Sequence, residues 1–155
     1  MSDMKYTGGC QCGAIRYRAD RLGLASICHC RMCQKAFGGF FGPLVTAHGL
    51  EWTRGKPDMY ASSNKVSRGF CATCGTQLTY EFGGDPEVAI GSLDNPELAP
   101  PTIQVNVADR HSFFDELSTL PVRELSKEEA AFLAGIVGYQ HPDHDTNTWP
   151  PKDKA

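Results

Sequence analysis

Alternating apolar and polar residues predict that three short segments of the chain form strands. These segments are residues 14–18, 77–82 and 102–107, and residues 88–90 form a shorter candidate strand. The 16 glycines and 10 prolines are spread between the apolar runs, where they act as turn residues. Short strands bounded by turn residues predict a mainly β fold.

One helix is expected near the C-terminus. Ser126 and Glu129 have the spacing of a capping box, in which a hydroxyl and a carboxylate satisfy two free backbone N–H groups. Apolar residues then recur at helical spacing, at Phe132, Leu133, Ile136 and Val137. This stripe predicts a short helix that packs on the core through its apolar face.

No internal repeat or long linker divides the 155 residues, so we expect a single domain over residues 1–139. Residues 140–155 are rich in proline, aspartate and lysine, and we expect them to form a loosely structured C-terminal tail. His141 and His144 lie in this tail. We expect both side chains to be solvated rather than bound to a metal ion.

Composition and charge argue against several classes of protein. The net charge is −3 and the isoelectric point is about 5.9, so the chain lacks the basic surface that nucleic acids or anionic membranes attract. No apolar run approaches the length of a membrane span, and the first residues lack the apolar core of a signal peptide. We therefore expect a cytoplasmic protein, because free thiols persist in that reducing compartment.

Seven cysteines are the strongest chemical signal in the sequence. An odd number cannot pair completely, which favours metal binding over a disulfide framework. Cys71 and Cys74 have the spacing that lets two sulfurs meet one zinc ion across a tight turn, and Gly75 helps that turn to close. Cys10 and Cys12 leave the same face of an extended segment and can supply the other two ligands.

Cys28, Cys30 and Cys33 remain after this assignment. Three thiolates leave one coordination position of zinc open, which is typical of a catalytic zinc site. The spacing also allows Cys33 to complete a different set of four ligands. Alternatively, a single zinc ion is bound and the other cysteines are small buried residues, or these three cysteines form a metal-free redox switch. His29 lies among them, and we expect it to support the site without binding the metal.

These motifs together resemble the family of glutathione-dependent formaldehyde-activating enzymes. The resemblance rests on a CxC, a CxCxxC and a CxxCG motif in this order, within residues 8–13, 28–35 and 70–75. It implies an Mss4-like, zinc-stabilised β-sheet fold. It further implies a structural zinc ion and a catalytic one, held respectively by Cys10, Cys12, Cys71 and Cys74 and by Cys28, Cys30 and Cys33.

The resemblance also implies a reaction. A carbon–sulfur lyase of this family joins formaldehyde to glutathione as S-hydroxymethylglutathione, so glutathione or another thiol is the expected small-molecule partner. The zinc ion at the open site either polarises the aldehyde oxygen or lowers the pKa of the incoming thiol. This second zinc ion can be labile and displaced when glutathione binds.

Two segments depart from the family pattern, and these departures are the basis of an alternative function. Residues 36–42 contain three aromatic side chains where small polar residues are expected, and Arg110 is either a partner for a substrate carboxylate or a solvated cation. We expect the aromatic residues Phe40, Phe41, Phe113 and Phe114 to lie in the core. If they are exposed, they favour a non-catalytic binding module in which zinc only stabilises the fold.

Overall fold

The computed structural model describes residues 6–149. Within this range the chain forms two sheets, two α-helices and four short 3₁₀ segments. The strands are β1 (Tyr6–Gly9), β2 (Arg16–Ala19), β3 (Arg21–Cys28), β4 (Gly42–His48), β5 (Glu51–Arg54), β6 (Asp58–Ala61), β7 (Ser67–Phe70), β8 (Gln77–Glu81), β9 (Glu87–Ala89) and β10 (Ile103–Val105). The helices are α1 (Arg31–Phe37) and α2 (Lys127–Ala134).

The smaller sheet has the strand order β1-β2-β5, and the larger has the order β10-β3-β4-β9-β8-β7-β6. Neighbouring strands pair antiparallel except β10, which runs parallel to β3. Both sheets contribute to one buried core, in which Tyr17 of β2 packs with Val45 of β4 and Leu78 of β8. This architecture confirms the predicted mainly β fold with a short C-terminal helix.

The four predicted strands overlap β2, β8, β9 and β10, whereas the central strands β3 and β4 were not predicted. These two strands form the most extensive pairing of the larger sheet, from Arg21 opposite His48 to Cys28 opposite Gly42. Along β4 the buried positions do not alternate strictly, because Leu44 and Val45 are adjacent and both are buried. A central strand covered on both faces lacks the period-two pattern on which the sequence prediction depends.

Helix α2 begins where the capping box predicts. The Glu129 N–H donates to Ser126 Oγ at 3.2 Å, and the Ser126 N–H donates to Glu129 Oε2 at 2.9 Å. The prediction that its apolar stripe packs on the core is wrong. The exposed fractions are 73% at Phe132, 47% at Leu133, 58% at Ile136 and 76% at Val137. One reason is that the helix ends at Ala134, so the last two residues do not continue a helical face.

Residues 140–149 make specific contacts with the sheets, and the expectation that His141 is solvated is wrong. The His141 side chain is 3% exposed, and its backbone N–H donates to the Gln11 carbonyl at 2.7 Å. Trp149 Nε1–H donates to the Cys12 carbonyl at 2.5 Å, and Asp145 pairs with the buried Arg16 at 2.7 Å. His144 is exposed, as expected. A domain boundary at residue 139 stays a prediction.

No helix among residues 6–149 is long and apolar enough to cross a membrane.

The exposure of α2 predicts a large difference between two substitutions of apolar residues. Phe132→Ala changes the free energy of unfolding by less than about 0.5 kcal/mol, because its ring is mostly in solvent. Leu78→Ala, at a residue that is 0% exposed, costs about 2–5 kcal/mol. Denaturant unfolding of the metal-loaded variants measures both values. A comparable loss for Phe132→Ala would show that α2 packs on the domain in solution.

Candidate metal centres

The fold gathers the seven cysteines into two groups. The four-cysteine group consists of Cys10, Cys12, Cys71 and Cys74, and the three-cysteine group consists of Cys28, Cys30 and Cys33. Within each group the sulfur atoms all lie within 4.8 Å of one another, and all seven cysteines are free thiols. Each group contains the cysteines that the sequence spacing favoured for it. Both groups can hold a metal ion, and their chemistry is consistent with zinc.

Two tight turns build the four-cysteine group. In the first turn, which follows β1, the Gly13 N–H donates to the Cys10 carbonyl at 3.1 Å. In the second, between β7 and β8, the Gly75 N–H donates to the Cys71 carbonyl at 2.7 Å. Gly13 has a φ of 77° and Gly75 a φ of 80°, in the left-handed region that glycine adopts without strain. Each turn therefore presents its two sulfurs on one side.

The sulfur spacing of this group matches a tetrahedral zinc site. The Cys10 and Cys12 sulfurs are 3.6 Å apart, and those of Cys12 and Cys71 are 3.8 Å apart. With each Zn–S bond at about 2.3 Å, tetrahedral geometry puts neighbouring sulfurs about 3.8 Å apart. Four thiolates at this spacing form a closed set with no position left for a substrate, as in structural zinc sites.

The environment of the four-cysteine group shifts its thiols in opposite directions. Burial raises the pKa of Cys10 to about 12. Burial also acts on Cys74, but hydrogen bonds from Thr76 and from the Cys12 N–H outweigh it and lower the pKa of Cys74 to about 6. Metal binding must therefore displace protons from the buried thiols, and the affinity for a metal ion increases with pH.

Strand β3 and helix α1 build the three-cysteine group. Cys28 is the last residue of β3, and Cys30 is the N-cap of α1. The Cys30 sulfur accepts a hydrogen bond from the Cys33 N–H at 3.3 Å, which satisfies a free donor of the first helical turn. The seven-residue helix was not predicted, yet it brings Cys33 back towards the other two sulfurs.

Two side chains that are distant in sequence donate hydrogen bonds to sulfurs of the three-cysteine group. Asn106 Nδ2 donates to Cys28 Sγ at 3.1 Å, and Arg68 Nη2 donates to Cys33 Sγ at 3.3 Å. Asn106 follows β10 and has a φ of 54°, the one positive φ of a non-glycine residue among residues 6–149. Sequence reasoning missed both residues, since neither lies near a cysteine of this group in the chain.

These contacts favour a thiolate in the three-cysteine group even before a metal ion binds. A hydrogen bond from Cys33 lowers the pKa of Cys28 to about 5 although the thiol is buried, and the Asn106 amide acts in the same direction. The same contact with Cys28, together with burial, raises the pKa of Cys33. A soft, partly deprotonated sulfur set is the kind of site that zinc prefers.

His29 lies outside both cysteine groups. Its side chain is 0% exposed, and Nε2 forms a hydrogen bond with Gln104 Oε1 at 2.8 Å. Its ring packs edge-on against Phe114, with ring centroids 4.8 Å apart. The backbone carbonyl of His29 accepts a hydrogen bond from Gln34 Nε2 at 2.6 Å, which joins the turn after β3 to α1.

Aromatic rings of residues 40–41 and 113–114 pack in two pairs, of which only the pair of Phe41 and Phe114 also contacts the ring of His29. The ring centroids are 5.1 Å apart for Phe40 and Phe113, and 5.8 Å apart for Phe41 and Phe114. The prediction that all four rings lie in the core is wrong, because Phe40 is 46% exposed and Phe113 is 40% exposed. Their backbones lie in the turns that follow α1 and precede a 3₁₀ segment, so the outer pair faces solvent.

A comparison with known protein families adds an independent finding. The model of one family, described as glutathione-dependent formaldehyde-activating enzyme, matches residues 5–109. The matched range is well over half of the chain and contains both cysteine groups as well as Arg68 and Asn106. It ends before α2.

The turn of the second CxxC motif predicts a contrast between two glycines. In each case a Cβ would meet nothing within 4 Å, but Gly75 has a φ of 80° whereas Gly91 does not have a positive φ. Gly75→Ala is expected to lower the free energy of unfolding by about 1 kcal/mol through backbone strain. Gly91→Ala is expected to leave it unchanged or slightly higher. Denaturant unfolding at constant zinc concentration compares them, and equal effects would contradict the turn geometry.

Proposed function

The chain belongs to the family of glutathione-dependent formaldehyde-activating enzymes, and we propose that it is a zinc-dependent carbon–sulfur lyase. In this proposal it forms or cleaves the adduct between a thiol, by default glutathione, and a small electrophile such as formaldehyde. The four-cysteine group holds a structural zinc ion. The three-cysteine group holds the catalytic one, which is labile when the thiol substrate binds.

The observation that carries this proposal is the difference in ligand number between the two groups. Four sulfurs complete the coordination of zinc, whereas three leave one position open to a substrate. A zinc ion at the open site acts as a Lewis acid on an aldehyde oxygen or lowers the pKa of a bound thiol. Glutathione and formaldehyde supply these two functional groups.

The reaction is an addition that needs no redox partner. A bond forms between the thiol sulfur and the carbonyl carbon, the carbonyl π bond breaks, and the proton that leaves the sulfur ends on the new hydroxyl oxygen. The protein must therefore hold the two reactants together and stabilise charge on sulfur and oxygen. Cys28, Cys30 and Cys33 define the position where the reactants meet, and the donors on Asn106 and Arg68 hold two of these sulfurs in place.

The seven free thiols suit a reducing compartment, and we propose the cytoplasm as the location of the protein. The acidic net charge supports a small-molecule substrate over nucleic acid.

A zinc-stabilised binding module is the second candidate function. Its support is the exposure of apolar residues outside the sheets, among them Phe40 and Phe113, whose ring centroids are 5.1 Å apart. Exposed apolar side chains in one region are typical of protein–protein contact surfaces. In this case the three-cysteine group has no role in chemistry, and thiols do not react faster in the presence of the protein.

The rate of adduct formation tests the proposal. Formaldehyde and glutathione react without a catalyst, so NMR exchange spectroscopy should compare the exchange rate with and without protein. We expect the rate to increase linearly with wild-type concentration and to return to the uncatalysed value with Cys30→Ser. Arg18→Gln, a surface variant in which an exposed ion pair with Glu51 is lost, serves as the control and retains the wild-type rate.

Two outcomes would contradict the proposal. Equal acceleration by the wild type and by Cys30→Ser would show that the three-cysteine group is not the site of catalysis. No acceleration by the wild type, with glutathione or with cysteine as the thiol, would favour the binding module. The melting temperature of Cys30→Ser should stay close to that of the wild type, because its four-cysteine group is intact.

A further inference from the structure

Arg68 is a buried cation in the larger sheet, on the strand next to its edge. It lies on β7, opposite Tyr60 of β6 and Tyr80 of β8, and only 2% of its surface is exposed. A guanidinium group is charged at every pH that a folded protein experiences. Taking such a charge out of water is costly unless an opposite charge or several hydrogen bonds compensate for it.

No ion pair joins Arg68 to a carboxylate among residues 6–149. The contrast with Arg16 is direct, since that buried arginine pairs with Asp94 at 2.5 Å and with Asp145 at 2.7 Å. The guanidinium of Arg68 instead donates from Nη2 to Cys33 Sγ at 3.3 Å. The three-cysteine group is therefore the anionic partner that the buried charge of Arg68 contacts.

Two further contacts fix the orientation of the guanidinium. Arg68 Nε donates to Ser62 Oγ at 3.0 Å, and the guanidinium carbon lies 4.9 Å from the ring centroid of Tyr80. The ring face of Tyr80 attracts the cation, and the hydroxyl of Ser62 accepts the Nε–H. With these two sides held, Nη2 is directed at the sulfur, so the hydrogen bond does not depend on a mobile side chain.

We propose that Arg68 is the positioning residue and counter-charge of the metal site at Cys28, Cys30 and Cys33. Three thiolates and one Zn²⁺ ion leave one negative charge in excess, and the guanidinium supplies one positive charge. Its hydrogen bond also orients the Cys33 sulfur and reduces repulsion among the three thiolates. The inference rests on the proposed zinc site in the three-cysteine group and adds the residue on which the affinity of that site depends.

Arg68 also connects the two metal centres through the backbone. It lies three residues before Cys71, on the strand that leads directly into the second turn of the four-cysteine group. Metal binding in the four-cysteine group thus fixes the end of β7, and β7 carries the counter-charge for the three-cysteine group. Removing a residue that forms a hydrogen bond with a metal ligand typically lowers metal affinity about 10- to 100-fold.

Zinc titration of the full-length protein, in competition with a chromophoric chelator, tests the proposal. We expect two zinc ions per wild-type chain. In Arg68→Met the affinity of the weaker site falls about 10- to 100-fold while that of the tighter site stays the same. Arg68→Lys keeps the charge, so the affinity of its weaker site for zinc should fall less than about tenfold. Arg18→Gln removes one positive charge at the surface, where the side chain is 41% exposed, and should match the wild type.

The outcomes separate this inference from the proposed function. A wild-type chain that binds one zinc ion would overturn the catalytic zinc site and the inference with it. Two zinc ions in the wild type, with unchanged affinity in Arg68→Met, would overturn the role of Arg68 alone. If Arg68→Met loses both zinc ions because it does not fold, Arg68→Lys decides the question. A fall of more than about 100-fold in the zinc affinity of the weaker site of Arg68→Lys, with the tighter site unchanged, would also overturn the inference, because that variant keeps the charge.

Discussion

The meeting of four cysteine sulfurs from two separate turns is the constraint on which the rest of the site depends. Cys12 and Cys71 are 59 residues apart in sequence, yet their sulfurs are 3.8 Å apart. Closing a loop of this length costs conformational entropy. The free energy of binding a metal ion to four thiolates would offset that cost, because the unfolded chain does not present such a site. Cys10 and Cys71 are also part of the buried core, so the metal site and the core stabilise the same turns.

The three-cysteine group depends on this arrangement through the strands around it. Its own three residues come from one short segment, the end of β3 and the start of α1. The donors that hold its sulfurs come from elsewhere: Arg68 from β7 and Asn106 from the residue after β10. The segment thus provides the three sulfurs, whereas Arg68 and Asn106 provide the positive charge and the hydrogen bonds that orient two of them. In the proposed function, this division of roles lets a small β fold hold an open catalytic zinc site beside a closed structural one.

The sequence predicted the parts of this account that depend on local spacing. The cysteines at residues 10–12, 28–33 and 71–74 form groups of four and three in the structure, which is the division that the sequence favoured. The CxC, CxCxxC and CxxC spacings restrict how sulfurs can converge, but they also allowed Cys33 to join a different set of four. Alternating apolar and polar residues located β2, β8 and β10, and the capping box located the start of α2. Strand β4 was missed because Leu44 and Val45 are adjacent and both are buried, which breaks the alternation. Strand β3 was missed because its exposed and buried residues do not alternate.

Residues whose roles arise from tertiary contacts could not be predicted. Arg68 is an ordinary arginine in the sequence, and only strand pairing places it against Cys33. His141 lies in a stretch rich in proline and aspartate, which gave no sign that it docks on the turn of Gln11. The stripe that begins at Phe132 has helical spacing, but spacing does not show whether a helix has a core to pack against. Each of these errors concerns the tertiary contacts of a residue rather than its type or its local spacing.

X-ray diffraction from zinc-loaded crystals, measured above and below the zinc absorption edge, would locate the metal ions directly. We expect two anomalous peaks per chain. One peak is surrounded by the sulfurs of Cys10, Cys12, Cys71 and Cys74, and the other by the sulfurs of Cys28, Cys30 and Cys33 with a fourth ligand that the protein does not supply. A single peak, or a second peak whose four ligands all come from the protein, would contradict this expectation.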